Sequence, residues 1–485
     1  MKPTNVLFIM ADEYNRAMLG CSGHPIVQTP NLDALAKSGT RFTKAYTNCP
    51  ICVPARASLA TGRYNHDIHY WDNATAYDGR VTSWGHRLQE AGILVESIGK
   101  LHYRKDDDPI GFDKRQVPMY IKDGVGSITA AIRDPMPPFD PESKKKPGFA
   151  AKACAGESDY TKYDLRVAEL ASQWLGNVGK YRNTKPWCLF VSFLSPHYPL
   201  TVPEPYYSMY RPDDMPGPKL DPEEGYHRHP WVEILAQRQP HANCLTPEKS
   251  KAAVAAYLGL CSFVDNQIGL ILKSLEAAGL RENTRIIFTS DHGENAGARG
   301  LWGKSVFYEE STGIPMLISG PDISAGSVCD TPVSLVDIYP TIIKSTGVQE
   351  KPDDNNLPGC SLLEVAVRKK NKNRAIFSQY HASASPTGGF MIRKGKFKFN
   401  YYVDYHSELF DLDVDPDEET NLAQDPKYAE VCTEYEKLLR EIVDPEVADR
   451  QAKDDQNAMI DFHGGREKIL RDKMGVQSFT PAPAI

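Results

Sequence analysis

The chain has no surplus of positive charge: 56 lysines and arginines face 63 aspartates and glutamates, for a net charge of −7 and a pI near 6.0. It therefore lacks the electrostatic footprint of a protein that binds nucleic acid or an anionic membrane, and neither is expected as a partner. No apolar run reaches membrane-spanning length. The first residues pass from Met1-Lys2-Pro3-Thr4 straight into Asn5-Val6-Leu7-Phe8-Ile9-Met10, too short for a signal h-region and followed by acidic residues, not a cleavage site. The ten cysteines are scattered, without the dense spacing of a disulfide framework, so a reduced, cytoplasmic protein is expected. No second C-x-x-C accompanies Cys49-Pro50-Ile51-Cys52, which excludes a four-thiolate zinc site. No internal repeat is visible.

Short β-branched and aromatic runs alternate with amphipathic stretches, the pattern of an α/β protein with a mostly parallel central sheet flanked by helices. Strands are expected over 6–10, 94–98, 187–193, 285–289 and 315–318. Helices are expected from near Thr29-Pro30-Asn31 to Gly39, over 164–178, and from Thr246-Pro247-Glu248 to near Gly279. In the last of these, Tyr257, Leu260, Cys261, Val264, Ile268, Ile271 and Leu275 form a stripe that reads as core. Two stretches, 103–160 and 200–246, are rich in Pro, Lys, Asp and Gly and read as long loops that line a site or an interface, which makes them candidates for substrate selectivity. We place a catalytic domain at 1–370 and a smaller α+β subdomain with an antiparallel sheet at 371–485. Within the latter, 388–402 and 408–412 read as strands and 426–442 as a helix, while the tail from about Asp444 has no strong periodicity.

Polar residues recur where the strands stop. Asp12-Glu13, Lys100 and His102, His197, and Asp291-His292 each lie just past a strand's C-terminal end. In an open parallel sheet those ends share one edge, so residues distant in sequence converge there. Carboxylates with one imidazole suit a divalent cation such as Ca²⁺, Mg²⁺ or Mn²⁺. The run Cys52-Val53-Pro54-Ala55-Arg56 puts a small nucleophile at the mouth of a helix, with Pro54 suited to the first helical position and Arg56 in the first turn. Such a start attracts a tetrahedral oxyanion.

The run 52–63, ending Thr61-Gly62-Arg63, resembles the signature of the type I sulfatases, in which the cysteine of C-x-P-x-R is oxidised to formylglycine. The resemblance implies an alkaline phosphatase-like core and a metal held by Asp12, Asp291, His292 and residue 52, with Glu13 as a further ligand or its support. Ser97-Ile98-Gly99-Lys100-Leu101-His102 looks like the family's G-K-x-H segment, and Gly303-Lys304 like its later lysine motif. Trp71-Asp72-Asn73-Ala74 is similar to a segment of choline sulfatases and phosphonate monoester hydrolases whose asparagine faces the oxyanion. It further implies that Arg56, Lys100, Lys304 and Asn73 hold sulfate oxygens, that His197 or Lys304 protonates the departing alcohol, and that His102 accepts a proton from the hydrated aldehyde.

The expected activity is hydrolysis of a small sulfate ester, and the expected partners are that ester, a maturation enzyme that generates formylglycine, and further copies of the chain in a homo-oligomer. A phosphonate monoester hydrolase or phosphodiesterase of the same superfamily is the alternative. A silent anion- or metal-binding protein with unmodified Cys52 is a second. Aryl, alkyl, choline and sugar sulfates all stay open as substrates.

Overall fold

Apolar strands with alternating inward residues build the molecule around one large sheet. The computed structural model describes residues 2–178, 185–368, 370–475 and 480–483. Eight strands make the central sheet: β1 (Asn5–Asp12), β2 (Gly39–Phe42), β3 (Leu94–Lys100), β4 (Lys114–Met119), β5 (Trp187–Pro196), β6 (Thr284–Ser290), β7 (Met316–Ser319) and β8 (Ser327–Cys329). Their spatial order is β8-β2-β7-β6-β1-β5-β3-β4. Only β7 runs against its neighbours, β6 and β2; the other pairs are parallel. The strand period of two explains how one run serves two layers. In β1, Leu7 and Ile9 face one hydrophobic layer, while Val6, Phe8 and Met10 face the other.

Five helices matter for the site: α1 (Cys52–Thr61), α2 (Asp159–Val178), α3 (Pro247–Ala277), α4 (Ala429–Ile442) and α5 (Pro445–Phe462). Helices α2 and α3 cover one face of the sheet, and α1 packs on the other. Every residue of the predicted α3 stripe is buried. By length and composition α3 would also serve as a membrane span, but 83% of its apolar window is buried inside the protein. That stripe is what the sheet needed.

The small antiparallel sheet is a meander of β9 (Ile376–Tyr380), β10 (Gly389–Lys394), β11 (Phe397–Tyr402) and β12 (Glu408–Asp411). Strand β9 lies outside the predicted set, and the expected strand 388–402 splits at a turn into β10 and β11. Helix α4 packs on this sheet through Tyr435 and Leu439. Other expectations are met in part. The stretch 103–160 contains β4, and 200–246 contains a helix over Pro230–Arg238. The tail is helical over α5 and again over Arg466–Arg471. Along α5 the buried positions Ala448, Ala452, Gln456 and Ile460 recur every fourth residue, with Asp449 beside them; since two of these are polar, hydrophobic periodicity does not reveal the face.

Candidate active site

Strand ends place most of the site. Asp12 closes β1, Lys100 closes β3, His197 follows β5, and Asp291-His292 follow β6. These strands are contiguous in the order β6-β1-β5-β3, so their polar termini meet along one edge. Helix α1 brings Cys52 to that edge as its first residue. Pro54 is thus the third helical residue, not the first, and Arg56 lies beyond the first turn. The proline is tolerated because the first four N–H groups of a helix have no intrahelical acceptor.

Asp12, Cys52, Asp291 and His292 bring one ligand atom each to within 4.8 Å of the others. Cys52 Sγ lies 3.0 Å from His292 Nε2 and 3.7 Å from Asp12 Oδ1. His292 Nδ1 is 3.0 Å from the Gly293 carbonyl, which assigns the ring proton to Nδ1 and turns the Nε2 lone pair toward the centre. Two carboxylates, one imidazole lone pair and a side chain at position 52 fit a divalent cation. Arg56 braces the carboxylates: Nε donates to Asp291 Oδ2 at 2.8 Å, and Nη2 stands 3.6 Å from Asp12 Oδ2. Its Nη1 donates to the Lys100 carbonyl and to Ser192 Oγ, both at 3.0 Å.

Electrostatics follow from this crowding. Burial alone would raise the Asp12 carboxyl, but Lys100, which donates to Oδ2, and Arg56 hold it well below the usual range. Burial and then the Asp12 carboxylate push the Cys52 thiol up to about 12. Burial, with Lys100 and Arg56 adding to it, keeps the His102 imidazole neutral.

A second group surrounds Glu13. Its Oε2 accepts from Lys304 Nζ at 2.7 Å and lies 3.1 Å from His197 Nε2, while Lys304 Nζ and His197 Nε2 are 2.9 Å apart. His197 Nδ1 sits 2.6 Å from the Tyr198 carbonyl, so the ring proton belongs there and Nε2 accepts from Lys304. Burial would lower the Lys304 ammonium, yet the Cys52 and Glu13 side chains raise it well above its ordinary value. Glu13 thus groups with Asp12 and His197, and stands outside the set formed by Asp12, Cys52, Asp291 and His292. Asn73 Oδ1 accepts from Val53 N at 3.2 Å, which sets the carboxamide against the start of α1 beside Cys52. His102 Nε2 meets Thr480 Oγ1 at 2.8 Å.

Four contributors escaped the sequence reading. Ser192 holds Arg56, and its only signal is a hydroxyl inside an apolar strand. Asp164 accepts from Leu194 N and Ser195 N, both at 2.7 Å, and so fixes the turn carrying His197; burial pushes its carboxyl up to about 7. An acidic residue on the buried face of α2 was the available clue. Glu294 Oε1 accepts from Gly303 N at 2.6 Å and shapes the loop of Lys304. Thr480, which reaches His102 from the tail, carried no signal at all.

A family model described as "Sulfatase" matches residues 4–348, and one described as "N-sulphoglucosamine sulphohydrolase, C-terminal" matches 297–444. A choline-sulfatase of Rhizobium meliloti (strain 1021) is 31% identical over 427 residues, covering 87% of this chain and 83% of its own. Arylsulfatase K of Homo sapiens is 28% identical over 470 residues, covering 91% and 82% respectively. The crystal structure of the phosphonate monoester hydrolase of Agrobacterium radiobacter superposes with a TM-score of 0.74 at 27% identity, over 90% of this chain and 95% of that one. With a mostly parallel sheet, polar side chains converging at its edge and a family match over most of its length, the chain belongs to the type I sulfatases of the alkaline phosphatase superfamily.

Proposed function

We propose that the chain hydrolyses a small sulfate ester with position 52 as formylglycine and one divalent cation, Ca²⁺ first among the candidates, held by Asp12, Asp291, His292 and residue 52. The observation that carries this reading is the placement of Cys52 at the start of α1, 3.0 Å from His292 Nε2, inside the buried Asp12–Asp291–His292 group. When bound, the cation and the oxidised side chain would supply an activated oxygen nucleophile and Lewis-acid polarisation of the ester. Everything else is the work of this chain's residues. Lys100, Lys304 and the Asn73 carboxamide present donors to the ester's oxygens, where charge develops in the transition state. Lys304 Nζ, hydrogen-bonded to His197 Nε2, is placed to give a proton to the departing alcohol, and His197 to return one. His102, kept neutral by its burial, is suited to accept a proton from residue 52. Asp12 stays ionised beside Lys100 and Arg56, and Asp291 beside Arg56.

The likeness to a phosphonate monoester hydrolase keeps phosphoryl transfer as the competing reading. Matured enzyme assayed against sulfate esters, phosphonate monoesters and phosphodiesters decides between them. The highest kcat/KM is expected on a sulfate ester, and a phosphonate or phosphodiester preferred by tenfold or more would replace the proposal. Aryl, alkyl, choline and sugar sulfates belong in one panel.

A further inference from the structure

Helix α5 begins where both matched family regions have ended, yet its side chains reach the turn that carries Asn73. Asp72 anchors that turn. Its Oδ1 accepts from Ala74 N at 2.8 Å and Thr75 N at 3.0 Å, so the carboxylate is the post around which residues 73–75 fold. Asp72 is 3% exposed and makes no ion pair within 4 Å among the described residues; burial raises its carboxyl above the usual range. The second oxygen is met by Gln456 of α5, whose Nε2 donates to Asp72 Oδ2 at 2.7 Å and to the His381 carbonyl at 2.8 Å. Gln456 Oε1 accepts from Arg133 Nη1 at 3.0 Å, so its amide is satisfied in a fixed orientation.

The neighbouring contacts work in the same direction. Asp455 Oδ2 accepts from Trp71 Nε1 at 2.7 Å and lies 2.8 Å from His69 Nδ1, holding the strand of chain that enters the turn. Ser127 N donates to the Asn73 carbonyl at 3.2 Å, and Ala74 packs with Ile128, Ile132, Ile460 and Ile469. The turn is therefore gripped from behind by α5, while Asn73 Oδ1 takes Val53 N in front.

We infer that Gln456 is a positioning residue of the active site: through Asp72 it fixes the turn that aims the Asn73 carboxamide at the ester oxygens beside residue 52. This rests on the role given to Asn73 above. The hydrogen bond matters because a buried carboxylate whose neighbouring cation, Arg133, acts on it without contact depends on each direct donor, and Gln456 is the side-chain donor to Oδ2 among the described residues. Loss of that donor lets Asp72 rotate or protonate, and the turn follows.

The test is a double-mutant cycle between Q456M and N73A in the matured full-length chain, run on whichever ester of the panel the wild type cleaves fastest. Choosing the substrate that way separates the inference from the sulfatase reading, because the cycle stays valid if a phosphonate proves to be the better substrate. We expect Q456M to lower kcat/KM about tenfold in the wild-type background and less than twofold in N73A, with inorganic sulfate inhibition weakened in parallel. Equal losses in both backgrounds, or no loss in folded Q456M, overturn it. Should Q456M fail to fold, D72N in a cycle with N73A carries the same question: the introduced carboxamide oxygen still accepts from Ala74 N and Thr75 N, while its NH2 group faces Gln456 Nε2 and breaks the link to α5. A loss of about tenfold that shrinks to less than twofold in N73A supports the role. Equal losses in both backgrounds count against it.

Discussion

Cys52 is almost fully buried beside two carboxylates that are themselves inaccessible to solvent, a setting that gives a thiol little chance to ionise. The chemistry proposed for this position needs an aldehyde, so active protein should carry one. The tryptic peptide Ala45–Arg56 is expected to be about 18 Da lighter than its cysteine form, read by mass spectrometry. The C52A variant should lose kcat/KM by a thousandfold or more, in the range of other nucleophile deletions, roughly 10³ to 10⁶. Fully active protein with an intact thiol would refute the assignment. Lys100 offers a second test at this scale. It donates to Asp12 Oδ2 from a site that is 1% exposed, so K100M removes the oxyanion donor proposed above and leaves Asp12 without its nearest cation. A fall of about 10² to 10³ in kcat is expected, larger than any change in KM. Incubation with a chelator should abolish turnover, and Ca²⁺ should restore it in wild type.

Among elements, β3 shows how a backbone irregularity sets a site. Its pairing with β4 shifts register between Ile98 and Lys100, and Gly99 at that point has a φ of +101°. A Cβ at Gly99 would stand 2.1 Å from the Ser192 carbonyl of β5. The left-handed backbone and the close approach to β5 both demand glycine. We expect G99A to destabilise the fold by about 3 kcal/mol in urea unfolding, and to lower kcat by misplacing Lys100. Unchanged stability would mean that β3 and β5 can part without cost. Helix α5 teaches the opposite lesson about legibility. Its buried face includes Asp449 and Gln456, which bind Arg133, Gly388 N and Asp72, so the stripe is polar where a pattern reader looks for leucine. By contrast α3 was plain in the sequence, because its buried face is mostly apolar, with Ser250, Ser262, Asp265 and Gln267 as its polar members.

The whole molecule carries several histidines that the fold keeps neutral. Burial depresses His381, with Arg133 adding to it, and lowers His241 to about 4. A histidine with a lowered folded pKa binds its proton more readily when unfolded. Stability is therefore full above the unfolded value near 6.5 and declines as pH falls below it, ending for His241 near pH 4. Each such group adds a slope of up to about 1.4 kcal/mol per pH unit inside its window. Thermal unfolding from pH 8 to pH 4 should show this acid slope, and H381N should flatten it relative to wild type. A profile that is the same in both would show that His381 titrates normally in the native state.

The order of residues by itself determined the chemical inventory and its addresses: Cys52 before Arg56, Asp12 and Lys100 at strand ends, and Asp291-His292 after a buried strand. Those signals are local, since a strand's period and the polar residue that stops it lie within ten positions of each other. Tertiary structure decided which of these groups share a centre. It put Glu13 with Lys304 and His197, outside the Asp12–Cys52–Asp291–His292 set, and it gave Arg56 the two carboxylates as partners. It also brought α5 and Thr480 from the end of the chain to the Asn73 turn and to His102. Contacts between residues hundreds of positions apart depend on how packed layers close upon one another, and no short-range pattern encodes that closure.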